Sequence, residues 1–292
     1  MSSPMLFVAG VVQGIVLGII LALVTSGMTL IYRVTGIINF AHGALMAVAM
    51  YLAFDLQRSW GVDPLLSSLA IGPLMAIVGW TLFQVLIRPI RRQHHLLAIQ
   101  VLLGLALVIE ALLLMRYGAD MRTAENVFSG RFTTVLGVGI ELTRIVAFIV
   151  SVLGLTALGI ALRRSDWGRR LRATAADEMA AHLVGISVTR VEAWTWGIGV
   201  AILGFVGPVL ADVFKMTPDM GLRYTIVALM IVIIGGGRTM LGTIVGGLVV
   251  GLSETLGLLY LPGSYGGLMP YALLVLVLVV NPRATLAMVR GR

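Results

Sequence analysis

Two stretches of this chain leave little choice of solvent. Residues 1–32 carry no charged side chain, and residues 239–282 carry only Glu254. Each exceeds the roughly 20 consecutive apolar residues that a helix needs to cross a bilayer core. Backbone in lipid must satisfy its own hydrogen bonds, so such runs dictate helices. The fold class that follows is all-α, a polytopic transmembrane helical bundle. Charged residues make up only 12% of the chain, against about 25% in a soluble domain. The first apolar run is longer than a signal-peptide core and lacks a basic leader, which predicts a retained span.

Apolar runs between polar punctuation place spans near 6–32, 37–54, 65–87, 95–115, 143–162, 194–214, 223–237, 241–260 and 267–281. This gives about eight or nine crossings. The short runs 37–54, 223–237 and 267–281 predict half-helices or re-entrant segments among them. Thr25–Ser26–Gly27 predicts a break within the long first span, because hydroxyls can re-satisfy backbone freed there. Gly207–Pro208 predicts a kink. Residues 1–292 read as one membrane domain, with a polar loop at 163–193.

Basic residues set the sidedness. Clusters at Arg88–His95, Arg163–Arg172 and the tail (Arg283, Arg290, Arg292) go inside with Arg33, Arg190 and Arg238. About two thirds of the 21 basic residues then face the cytoplasm. The others, Arg144 and Arg223 among them, fall to outer loops with Asp120, Glu125 and Asp212. With nine crossings the amino terminus lies outside. The net charge of +8 is therefore an orientation signal, not a nucleic-acid footprint.

Much chemistry is missing. There is no cysteine, which removes disulfides, thiolate metal sites and cysteine nucleophiles. The only lysine, Lys215, stands outside any GxxxxGK[ST] pattern, and neither HExxH nor GxSxG occurs. No catalytic residue, metal site or cofactor is expected on this chain. If ATP drives it, another chain must hydrolyse the nucleotide.

Glycine organises the spans instead. Gly10, Gly14 and Gly18 recur every four residues, as do the pairs Gly242/Gly246 and Gly247/Gly251. Such faces let helix backbones approach closely; lining a pore is the alternative reading. "GGGRTMLG", Gly235–Gly242, reads as a tight turn between helices.

In the polar loop, residues 169–184 are rich in helix formers. Leu171, Ala175, Met179 and Leu183 predict a modest apolar stripe on one amphipathic helix, stopped by Gly185. Within the spans, Asn39 is expected to cap the helix that follows it. His42, three residues on, shares its face and either bonds across a helix contact or touches substrate. Glu110 is close enough to its span's end to snorkel outward. Glu254 lies deeper and either pairs with a polar neighbour or lines a pathway. Thr25 and Ser26 join Asn39, His42 and Glu254 as translocation-path candidates.

Three stretches carry a resemblance. "RATAADEMAAHLVGISV" resembles the coupling loop of bacterial ABC-transporter permeases. "GIINFAHGALM" and "IIGGGRTMLGTIVGGLVVGLSETL" resemble segments of the branched-chain amino acid ABC transporter permease family. That family also includes importers of urea and short amides. Ala44 stands where many relatives carry an acid, and Leu241 where they tend to carry proline. The resemblance implies a second related permease subunit, two cytoplasmic ATP-binding subunits that hold ATP and Mg, and a periplasmic substrate-binding protein. It places the chain in the bacterial inner membrane and gives Ala175, Ala176, Asp177, Glu178 and Gly185 to ATPase coupling. An ion-coupled secondary transporter is the rival from another class, and it would be expected to carry inverted repeats or ion-coordinating acids.

Overall fold

The computed structural model describes residues 3–91, 95–135, 137–237 and 239–280. Arg92, Gln93 and His94 of one basic cluster, Arg238, and the tail with Arg283, Arg290 and Arg292 lie outside the described residues.

The helices are α1 (Ser3–Thr35), α2 (His42–Trp60), α3 (Pro64–Leu82), α4 (Arg88–Ile90), α5 (His95–Tyr117) and α6 (Leu142–Arg164). They continue as α7 (Asp166–Ala176), α8 (Glu178–Leu183), α9 (Val188–Val213), α10 (Met220–Ile234), α11 (Met240–Tyr260) and α12 (Met269–Val280). A π-helical turn, Phe83–Ile87, fuses α3 and α4 into one span. Among the described residues six helices are long and apolar enough to cross a membrane, and α10 is a shorter apolar one. The all-α expectation needs one addition. Between α5 and α6, β1 (Phe132–Val135) and β2 (Val138–Glu141) form an antiparallel hairpin, with Thr133 opposite Ile140.

Local chemistry explains several ends. Asp63 accepts from the Leu65 N–H at 2.7 Å ahead of Pro64, a capped helix start with proline in its first turn. Thr239 does the same for α11, accepting from the Gly242 N–H at 3.0 Å. Ahead of it, Gly235–Gly237 form the expected tight turn after α10.

Two glycine seams hold the bundle. On α1 and α11, a Cβ added at Gly18 would lie 2.8 Å from the Gly247 carbonyl, and one at Gly247 would lie 2.6 Å from the Gly18 carbonyl. Gly14 meets Leu252 Cα at 2.9 Å, Gly251 meets the Gly14 carbonyl at 2.6 Å, and Gly10 faces Leu256 and Leu259. Gly242 and Gly246 face the other way, against Gly235 and Ile231 at the end of α10. The second seam joins α3 to α9. There Gly79 would meet the Trp196 carbonyl at 2.6 Å and Gly204 the Ile71 carbonyl at 2.7 Å. Without a hydrophobic drive between helices in lipid, such backbone contact is the main source of cohesion.

Thr25–Gly27 does not break the first span. α1 runs unbroken through it, with Ser26 Oγ donating to the Leu23 carbonyl at 2.7 Å. Gly27 is instead a contact point: a Cβ at Gly199 of α9 would lie 2.9 Å from its carbonyl. α9 likewise continues through Pro208. α2 sits innermost, with residues from His42 to Ala53 buried against α9, α10, α3 and α5.

The loops gather at two ends. One end ties Arg116 and Tyr117 to Asp55, Val127 to Asp63, and Ser129 and Thr143 to Asp212. The other end collects Arg33, Arg91, Arg163, Arg172 and the α7–α8 segment.

Candidate functional site

The loop between α1 and α2 folds back into the bundle. Thr35 Oγ1 donates to the Ile31 carbonyl at 2.8 Å and accepts from the Ile37 N–H at 3.2 Å. Gly36 ends α1 at φ 68°, a left-handed conformation that only glycine adopts without strain. The returning chain places fully buried His42 beside the middle of α1, where its Nε2–H donates to the Val24 carbonyl at 2.9 Å. The carbonyl fixes the tautomer, since it can only accept. This is a bond across a helix contact, one of the two roles the sequence left open. Asn39 departs from expectation. It lies outside α2, which begins at His42, so the two side chains share no helix face. Its Oδ1 accepts from the Ala41 N–H at 3.1 Å, forming a turn ahead of the helix in place of a cap on it.

α10 starts inside the bundle against this junction. The Gly43 N–H donates to Thr225 Oγ1 at 2.9 Å, and a Cβ at Gly221 would lie 2.9 Å from Ala44 Cα. Two helix starts thus meet at depth, where lipid cannot satisfy their free N–H groups and Thr225 supplies one acceptor.

The neighbouring residues of α10 turn toward a cleft. Arg223 and Tyr224 line a cavity of about 240 Å³ together with Gln13, Arg144, Glu254 and Thr255. Its apolar wall includes Leu17, Ile20 and Val227. Arg144 and Arg223, counted with the outer loops although the spans 143–162 and 223–237 contain them, are helix residues. Each stands in the first turn of a helix, α6 and α10. Glu254 therefore shares a cleft with two arginines. The missed signal was Arg223 three residues before an unbroken apolar run, beside a tyrosine. The structure brings Glu254 to this cleft; Ser26 lines a small separate cavity with Thr29 and Thr243, and Thr25, Asn39 and His42 are packed inside the core. Glu110 is half-buried on α5, away from the cleft.

At the arginine-rich end, residues 169–184 do not form one helix. Asp177 adopts an extended backbone and its Oδ1 accepts from the Ala180 N–H at 2.9 Å, ending α7 and capping α8. The predicted stripe is split with it. Leu171 is fully buried among Leu30, Val34, Leu162 and Val191, with Ala175 packed alongside, whereas Met179 and Leu183 are 76% and 84% exposed. Ala176 closes α7, and Gly185 follows α8 at φ 81° with open space around it. Arg91 fastens this segment. Its guanidinium pairs with Glu178 of α8 at 2.6 Å and with fully buried Glu192 of α9. Neither Arg91 nor Glu192 was singled out from sequence; the only hint was an acid four residues after Val188, inside an apolar helix.

A protein-family model described as a branched-chain amino acid transport system permease component matches residues 10–278. LivH of Escherichia coli K12, a high-affinity branched-chain amino acid transport system permease protein, is 31% identical over 90% of each chain. BraD of Pseudomonas aeruginosa PAO1, with the same description, is 27% identical over 90% of each. The ribose import permease protein RbsC of Bacillus subtilis is 28% identical, over 83% of this chain and 75% of its own. No solved structure matches. A multi-pass helical bundle matched along nearly its whole length by this one model belongs to the branched-chain amino acid transport system permease family.

Proposed function

We propose that this chain is the membrane-spanning permease subunit of an ATP-driven importer of branched-chain or related amino acids. It acts as one domain in the bacterial inner membrane, with residues 163–193 as its cytoplasmic coupling loop. A second related permease completes the pathway, two cytoplasmic subunits bind and hydrolyse ATP with Mg, and a periplasmic binding protein delivers substrate. The observation that carries this reading is the construction of the loop: α7 is rooted by Leu171, while α8 and the residue that ends it offer Met179, Leu183 and Val184 to solvent. Exposed apolar side chains on a short helix, fixed to the spans through Arg91, suit a contact that receives force and passes it to α9.

The charged cleft suits the cargo. A zwitterion needs one group of each sign, and Glu254 with Arg223 provides them beside an apolar wall. The test is reconstitution of the permease pair with its ATP-binding subunits and binding protein in liposomes. Leucine uptake should require ATP and every partner. Replacing Asp177 and Glu178 should leave ATP hydrolysis running while uptake fails, and Glu254→Gln should lower uptake with assembly intact. Ion-driven uptake by this chain alone would overturn the reading.

A further inference from the structure

α6 and α11 both pack on α1 but hardly touch one another. The gap between them is a cavity of about 530 Å³ bounded by two helices long and apolar enough to cross a membrane, with exposed Thr156 on its lining. Its walls are apolar, including Leu155, Ile160 and Leu241, the last two more than half exposed. At its polar end stand Arg33, Arg163 and Arg172, and no carboxylate lies among the lining residues. Arg33 and Arg172 are near enough to repel. Arg172 is held in place by its bond to the Leu162 carbonyl.

Three cations gathered at the polar end of an apolar groove, with no carboxylate among its lining residues, suit an anion. A free ion would explain the arginines and leave the apolar groove without a purpose. An anionic lipid explains both, and basic pockets between membrane helices recognise lipid headgroups in this way. We propose that the α6–α11 gap binds an anionic phospholipid, with an acyl chain along Leu155, Ile160 and Leu241 and the phosphate among the three arginines. The site is independent of the transported solute. It fills a gap that would otherwise let α6 close on α11, and so braces the base from which the coupling segment hangs.

The test uses the full chain in nanodiscs containing equal amounts of phosphatidylcholine and phosphatidylglycerol. Lipid retained after detergent exchange is read by native mass spectrometry. Phosphatidylglycerol should be retained preferentially, and Arg33→Gln or Arg163→Gln should each lower that preference about fivefold. Gly159→Leu supplies the second arm. It places a side chain in the groove, where a Cβ meets only Met240 Sδ at 3.8 Å, without touching an arginine. This variant should keep its melting temperature and lose the lipid, and millimolar inorganic phosphate should not displace lipid from the parent protein. Equal retention of the two lipids, or retention unchanged by all three substitutions, would overturn the proposal. So would displacement by phosphate combined with no effect of Gly159→Leu, which would mark a simple anion site.

Discussion

Along the α1–α11 seam, Gly18 and Gly247 bring two backbones together so closely that a side chain at either position would strike a carbonyl. α8 is attached in the opposite manner: one small buried residue, Ala181, and one ion pair to Arg91 secure it, and the rest of its apolar surface is open. A backbone seam cannot slide without losing contact along its length. A charge pair on a short helix can shift by an ångström or two at little cost, because a half-exposed pair is worth only about 1 kcal/mol or less. The difference separates a part that must hold its shape from a part that can move.

Substitutions at the seam should give the largest effects. Gly247→Leu would push a branched side chain into the backbone of α1, and overpacking costs about 1–3 kcal/mol even where side chains can yield. Here the neighbours are backbone, so the variant should yield little monodisperse protein in detergent. A folded Gly247→Leu of normal melting temperature would show the seam to be looser than its geometry.

Arg91→Gln comes next. It removes the cation from buried Glu192, and breaking a buried pair costs up to about 3–5 kcal/mol. The variant should melt lower and expose 178–185 to protease, while Glu178→Gln, on the exposed side, should barely change melting. Equal effects from the two would mean that the clasp acts through α8 alone. Leu171→Ala should cost about 2–4 kcal/mol by opening a cavity at the root of α7. At the small end, Leu183→Ser should alter stability by less than about 0.5 kcal/mol, since the side chain is 84% exposed, and still lower ATP-driven uptake several-fold.

What the sequence disclosed follows the same division. Charge-free runs located the spans because lipid enforces helices. The four-residue spacing of Gly14, Gly18, Gly247 and Gly251 marks faces suited to close packing, because that spacing is a property of one helix, but it does not say which faces meet. The α3–α9 seam carries a sparser signature: Gly72 and Gly79, and Gly197 and Gly204, stand seven residues apart, two full turns on one face. Asp177 falls inside the single helix that the composition of 169–184 predicts. Its role as a cap shows only once the chain is seen to break, since aspartate suits either position. His42 could be narrowed to two roles, and only the folded-back loop, which brings it to Val24, decides between them. Arg223 and Arg144 stand at the starts of spans, where counting charges cannot separate a loop residue from the exposed first turn of a helix that borders a cleft.

The chain has no cysteine, so a single Leu183→Cys reports on α8 without background. Labelling it with a membrane-impermeant maleimide in oriented vesicles is the most direct measurement. The cysteine should react from the cytoplasmic side and become protected when the ATP-binding subunits assemble. Reaction from the periplasmic side, or labelling that those subunits leave unchanged, would contradict α8 as the element through which force arrives.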